Sequence, residues 1–211
     1  MPKGPHALRS LLSLAQAIDV EPAELSCELA LVPLPASLLS QLPDEFVVIN
    51  PSASKAERNW TLAGYQGLLA YFAAKNITVV LTGGPSQEEV AFADQVIGNA
   101  KQVVNLVGKT SIPQMLAVIA AAKILISPDT GPVHMATLVA TPVVGLYAHS
   151  NPQRTGPYKN LDQVVSVYPE LALKEYGKSV EDLPWAARVH DPKAMTHIQL
   201  DAVIQSIERL I

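Results

Sequence analysis

The segment Ser127-Pro128-Asp129-Thr130-Gly131-Pro132-Val133-His134 places a hydroxyl, a carboxylate, a glycine and an imidazole within eight residues. Asp-Thr-Gly carries the catalytic acid of aspartic proteases. That chemistry needs two carboxylates sharing one proton, on a β-rich scaffold or a symmetric dimer. This chain has a single Asp-Thr-Gly, preceded by an apolar run and followed by Pro132. Proline is favoured in the first helical turn, where its missing N–H costs nothing, so the tripeptide reads as a turn from a strand into a helix. The positive end of a helix favours an anion, above all a phosphate. Gly131 allows a ligand close to the backbone. Thr130 can cap the helix or bond a phosphate oxygen, Asp129 suits a hydroxyl or an ammonium, and His134 can reach back from one turn in. The competing reading is that Asp129 and Thr130 only cap the helix and His134 packs on the sheet.

Other turns carry compatible chemistry. Pro51-Ser52-Ala53-Ser54-Lys55, with Arg58 close behind, offers small residues, hydroxyls and two cations. It lacks the Gly-x4-Gly-Lys-Ser/Thr spacing of a P-loop. Thr82-Gly83-Gly84-Pro85 and Gly108-Lys109-Thr110-Ser111 follow further apolar runs, and a long polar stretch extends from Ala148 to Tyr158. A Gly-x-Ser-x-Gly nucleophile elbow is absent. The five histidines are scattered without metal-ligand spacing, so no metal or other cofactor is expected. The first turn lacks Gly-x-Gly-x-x-Gly, which argues against dinucleotide redox chemistry.

These turns need elements to hold them at one edge. Apolar runs at 46–50, 77–81, 103–107, 123–127, 142–147 and 164–167 read as strands. Helices fall between them: Thr61 to Lys75, closed by Asn76; a segment opened by the capping box Ser86-Gln87-Glu88-Glu89; and one opened likewise by Ser111-Ile112-Pro113-Gln114. The chain ends in a helix capped by Thr196-His197-Ile198-Gln199. Strands apolar throughout and separated by helices predict an α/β fold, a doubly wound parallel sheet forming a single Rossmann-like domain over 46–211. Residues 1–45 differ. Leu8, Leu11, Leu12, Ala15 and Ile18 fall at helical spacing, and Ala15-Gln16-Ala17 mimics a signal-peptidase site behind too short an apolar core. Glu21-Pro22 and the prolines at 33, 35 and 43 forbid a central strand, so this part is expected to be a connecting segment with one helix. Residues 169–195, with Pro169, Pro184 and Pro192, read as irregular.

The totals agree. Hydrophobic content of 49% and charged content of 16% exclude a disordered chain, and a net charge of −4 argues against a nucleic-acid partner. Cys27 is alone, which fits a reducing, cytoplasmic compartment. No stretch is apolar and long enough to cross a bilayer.

Taken in order, the turns resemble those of glycosyltransferase family 9, the ADP-heptose:lipopolysaccharide heptosyltransferases. The matching residues are Pro51-Ser52-Ala53-Ser54 with Arg58 and Trp60, Thr82-Gly83-Gly84-Pro85, Gly108-Lys109-Thr110-Ser111, and Asp129-Thr130-Gly131-Pro132-Val133-His134. Thr141-Pro142-Val143-Val144 and Asn151-Pro152 through Gly156-Pro157-Tyr158 complete the set. The resemblance implies the C-terminal half of a GT-B glycosyltransferase, two facing Rossmann-like domains of which this one holds the nucleotide-sugar donor. It implies that Ser54 and Arg58 lie near the donor's phosphates, Thr110 by the adenine, and Asp129, Thr130, Gly131 and His134 around the sugar and diphosphate. The ribose contact falls on Gln87 or Glu88. Implied partners are ADP-heptose and a lipopolysaccharide-type acceptor, which leaves room for peripheral association with the inner membrane.

Two departures stand out: Arg58 occupies a position usually held by Lys, and Ala148-His149-Ser150-Asn151 replaces the more usual Gly-Pro-Thr-Asp. The N-terminal acceptor domain and its base are expected to be missing, so the chain is expected to carry no catalytic residue and no turnover of its own. His149 is the one side chain placed to reach across to an acceptor. The alternative is a non-catalytic nucleotide or nucleotide-sugar binding module.

Overall fold

The structure, a computed structural model, describes residues 6–20 and 29–211. Cys27 and the Glu21-Pro22 pair lie outside the described residues. Two helices precede the sheet, α1 (Ala7–Gln16) and the single turn α2 (Ala36–Leu39). The chain then alternates β1 (Phe46–Ile49), α3 (Leu62–Ala74), β2 (Thr78–Leu81), α4 (Gln87–Ile97), β3 (Val103–Asn105), α5 (Ile112–Ala121), β4 (Leu125–Pro128), α6 (Gly131–Leu138) and β5 (Val143–Tyr147). After the short α7 (Pro152–Thr155) come β6 (Val165–Ser166), α8 (Tyr168–Tyr176) and α9 (Leu200–Glu208). The six strands form one sheet in the order β3-β2-β1-β4-β5-β6, and every neighbouring pair is parallel. This is the doubly wound architecture expected from the apolar runs.

Alternation along each strand divides the core into two layers. Val47 and Ile49 point to one face with Val79, Leu81, Val144 and Leu146, under α3, α4, α8 and α9. Phe46 and Val48 point to the other with Val80, Leu125 and Val143, under α5 and α6. Leu34, Leu38 and Leu42 of the preceding segment pack onto this second face. The chain therefore leaves β1 toward one face, through α3, and leaves β4 toward the other, through α6.

Helix boundaries follow local chemistry. Thr61 accepts from Gly64 N, and Asn76 in the left-handed region (φ 57°) closes α3. Ser111 and Gln114 form a complete capping box on α5. On α4 the box is only half made. Ser86 Oγ accepts from Glu89 N at 3.2 Å, but the Glu89 carboxylate turns to Gly84 N at 2.7 Å and holds the preceding turn instead.

Besides the half-made box, and the second helical turn α2 where the segment before residue 46 was expected to hold one helix, two further expectations need correction. The region from 169 is not irregular at its start, because Pro169 lies in the first turn of α8, where it is tolerated, and Gly177 (φ 64°) ends the helix. The last helix begins at Leu200, not near Thr196. Residues Ala194–His197 form a separate 3-10 turn, and Gln199 makes no side-chain cap.

Trp60 locks the first crossover. Its indole N–H donates to Ile198 O at 3.0 Å, and its ring meets Tyr65 edge-on at 5.3 Å. A Cβ on Gly64 would lie 2.5 Å from the Trp60 ring. Gly64→Ala is therefore expected to destabilise the fold despite a helix-propensity gain of up to about 1 kcal/mol. Overpacking a filled core typically costs about 1–3 kcal/mol. Urea denaturation checks the sign, and a more stable variant would show that the indole can shift.

Candidate functional site

The carboxyl ends of β1 and β4 are adjacent, and their outgoing chains diverge to opposite faces. In open α/β sheets this is where ligands bind. The turn after β1 is held by side chains. Asn50 donates to Ser52 O at 2.7 Å, Ala53 N donates to Asn59 Oδ1 at 2.7 Å, and the Tyr65 hydroxyl donates to Pro51 O at 3.1 Å. A short 3-10 turn, Ala56–Arg58, then aims Arg58 across to β4. The Arg58 guanidinium lies 3.7 Å from Asp129 Oδ2, and its Nη1 donates to Asp129 O at 3.4 Å.

Asp129 is the hub. Its side chain is only 14% exposed. The Ser150 hydroxyl donates to Oδ2 at 2.5 Å. The Tyr147 phenol sits beside it, and burial first, then the Asp129 charge, push its ionisation well above the usual range. Tyr147 is therefore a neutral hydroxyl. The capping alternative fails. Thr130 stands in extended backbone (φ −156°, ψ 173°) with no side-chain cap bond, and Asp129 faces Ser150 and Arg58 instead. The helix start also has fewer donors to spare than expected, since Pro132 has no N–H and Val133 N already donates to Thr130 O at 3.2 Å. Space above Gly131 is open, with nothing within 4 Å of an added Cβ.

His134 lies at this opening and keeps an exposed edge. Desolvation lowers its pKa from the ordinary 6.5; Asp129 works against that shift and His6 adds to it. The exposed edge limits the effect, so the ring is a mostly neutral donor or acceptor at pH 7.

Beyond Arg58 a polar cavity of about 240 Å3 opens between the β1 turn and the start of α4, lined by Ser52, Ser54, Asn59, Ser86, Glu88 and Glu89. Glu88 is on its wall and Gln87 is not, so of the two candidates only Glu88 faces this space. The hydroxyls of Ser52, Thr82 and Thr110, in the turns after β1, β2 and β3, are buried without a hydrogen-bond partner, as is Gln163 Oε1 elsewhere. Buried hydroxyls are normally satisfied; Thr82 is wholly enclosed, so its hydroxyl cannot meet a bound molecule directly. A larger groove of about 490 Å3 lies between α7 and α8, lined by Leu161, Val164, Leu173 and Val180 with Glu170 and Glu181. It holds no Lys or Arg and does not suit an anion.

The structure thus brings Arg58, Asp129, Thr130, Gly131 and His134 together, with Ser54 on the adjoining cavity and Thr110 further along the edge. It does not place His149 as expected. That ring is buried, with Nδ1 2.9 Å from Val189 O and Nε2 2.9 Å from Glu57 O, so it cannot reach across to another molecule. Sequence reasoning missed the roles of Tyr147 and Ser150 beside Asp129. Ser150 is one hydroxyl among many in a polar loop, and only the parallel register of β4 and β5 puts it beside Asp129.

With this geometry in view, the comparisons are specific. The model of glycosyltransferase family 9 (heptosyltransferase) matches residues 1–184. The chain belongs to this family. It is 38% identical over 213 residues to the lipopolysaccharide core heptosyltransferase OpsX of Haemophilus influenzae, a match covering 99% of this chain and 61% of that protein. It is 33% identical over 106 residues to lipopolysaccharide heptosyltransferase 3 of Escherichia coli, covering 49% and 31% respectively. Among solved structures, a family 9 glycosyltransferase from Veillonella parvula superposes with a TM-score of 0.70 at 19% identity, over 97% of this chain and 60% of that one. The heptosyltransferase WaaC of E. coli with ADP-2-deoxy-2-fluoro heptose gives a TM-score of 0.61 at 18% identity, over 96% and 55%. The chain therefore spans about three fifths of the relatives it matches end to end.

The hub predicts an order of stabilities. A hydrogen bond to a charged group contributes roughly 1.5–3 kcal/mol, whereas a 3.7 Å ion pair at a partly open site contributes under about 1 kcal/mol. Ser150→Ala is expected to lower unfolding free energy more than Arg58→Ala. A larger loss for Arg58→Ala would show that the guanidinium, not the hydroxyl, chiefly holds Asp129.

Proposed function

We propose that this chain is the donor-binding half of an inverting heptosyltransferase, with residues 46–211 holding a nucleotide-diphosphate sugar and residues up to 45 serving as the connection to an acceptor-binding domain. The observation that carries the reading is the junction of Arg58 with Asp129 at the β1/β4 crevice. A cation and an open helix start suit a diphosphate. A fixed carboxylate and the Glu88-lined cavity suit the hydroxyls of a sugar and a ribose. Ser54, Arg58, Thr110, Asp129, Thr130, Gly131 and His134 are the proposed donor contacts, with Glu88 replacing Gln87 at the ribose. The relatives' names and the ADP-sugar bound to WaaC favour ADP-heptose as donor and a lipopolysaccharide core as acceptor. Such a reaction belongs at the cytoplasmic side of the inner membrane. Among the described residues, no helix is long and apolar enough to cross it.

As the diphosphate departs, Arg58 and the dipole of α6 would stabilise its growing charge. Inversion also needs a base on the opposite side, within hydrogen-bond reach of the acceptor hydroxyl. Asp129 and His134 sit on the donor side and His149 is buried, so this half binds and activates the donor while the base comes from the acceptor side.

Calorimetric titration with a nucleotide panel tests the reading: ADP should bind and should shift the amide signals of Thr110 and of residues 129–134. Silence at millimolar ADP would sink it. Arg58→Ala should weaken ADP by about tenfold or more, from a charge-assisted bond of roughly 1.5–3 kcal/mol, and leave adenosine unchanged. His134 supplies a pH test. Its apo titration midpoint should lie below 6.5. A bound diphosphate favours the imidazolium, so ADP should raise the midpoint and bind more tightly as pH falls through it. An unmoved midpoint in the ADP complex would place the phosphates elsewhere.

A further inference from the structure

Besides the contacts of Arg58 itself with Asp129, the turn that carries Arg58 meets the loop after β5 through His149. His149 Nε2 lies 2.9 Å from Glu57 O, the carbonyl immediately before Arg58. The other ring nitrogen lies 2.9 Å from Val189 O, and Val189 N donates back to His149 O at 3.0 Å. Next in sequence, Ser150 donates to Asp129 and bridges Arg188. Two adjacent residues of the loop after β5 therefore hold the two halves of the Arg58–Asp129 junction, and the 188–189 segment backs both of them. Carbonyls only accept, so a ring that satisfies Glu57 and Val189 together carries both protons, and a neutral ring keeps one of the two bonds.

We infer that His149 is a positioning residue: its Nε2–H donates to Glu57 O and fixes the 3-10 turn so that Arg58 faces Asp129. It touches no substrate and acts through Arg58. Its effect on ADP rests on the donor-site reading above, whereas its effect on the turn can be read in the empty protein.

A pair of substitutions separates the two ring nitrogens. Glutamine places its amide N–H near the Nε2 position and can still reach Glu57 O; asparagine reaches only as far as Nδ1. In the 211-residue chain, His149→Asn should speed hydrogen exchange at Arg58 N and Asn59 N, the amides that close the turn on Lys55 O and Ala56 O. The same variant should weaken ADP about three- to tenfold, the fold-change of one lost hydrogen bond, with adenosine unchanged. His149→Gln should stay near wild type in both. Asn and Gln variants that lose equally, that lose nothing, or that lose adenosine along with ADP would overturn the assignment. Wild type that fails to bind ADP would sink the donor reading alone, and exchange at the turn would still decide the role of His149. Should the asparagine variant not fold, nitrogen NMR of the wild-type ring settles the matter: a protonated Nε2 is expected, and an unprotonated Nε2 refutes the tie.

Discussion

Parallel pairing of β1 with β4 is the constraint on which the site depends. It brings two carboxyl ends side by side, and the connections then leave to opposite faces because α3 and α6 belong to different core layers. A crevice between them is unavoidable. What the sequence adds is charge of both signs at its lips: Arg58 from one turn and Asp129 from the other. Each would be costly to bury alone. Together, with Ser150 and neutral Tyr147, they form a junction that is satisfied yet loose, since the 3.7 Å ion pair leaves the guanidinium free to prefer a stronger anion.

That looseness suits a donor site. A tight, bidentate pair would compete with a phosphate for the same fork. Here the carboxylate is held by a hydroxyl at 2.5 Å, while the guanidinium meets that carboxylate only at 3.7 Å and the Asp129 carbonyl at 3.4 Å. On the donor reading proposed above, a diphosphate would take the guanidinium without unseating Asp129.

Much of this was legible in the sequence. β-branched runs bounded by Gly, Pro and capping residues set the strands and most helices, and Pro132 after Asp-Thr-Gly marked the strand-to-helix turn. The misses have local causes. Pro169 suggested irregular chain because proline breaks helix interiors, yet Pro169 with Gly177 is the pairing that opens and closes a helix. Glu89 looked like the second half of a capping box, but Gly84 N competes for its carboxylate and wins. Gln87 and Glu88 could not be separated because one residue of helical rotation decides which faces the cavity. Ser150 and His149 were beyond reach, since their partners are 21 and 92 residues away and only the folded register joins them.

The support of the site lies partly outside the family match. That match ends at residue 184, yet Arg188 and Val189 brace Ser150 and His149. Arg154 fastens the same stretch, because its buried guanidinium donates to the carbonyls of Val180, Leu183 and Pro184. The loop after β5 is thus pinned by side-chain donors to backbone acceptors, an arrangement indifferent to side-chain identity in the 180–189 strap but strict about its path. The planar fork of Arg58 binds phosphate well only when aimed, whereas an ammonium donates in any direction, so a fixed path of the surrounding chain matters more to a guanidinium at this crevice than it would to a lysine.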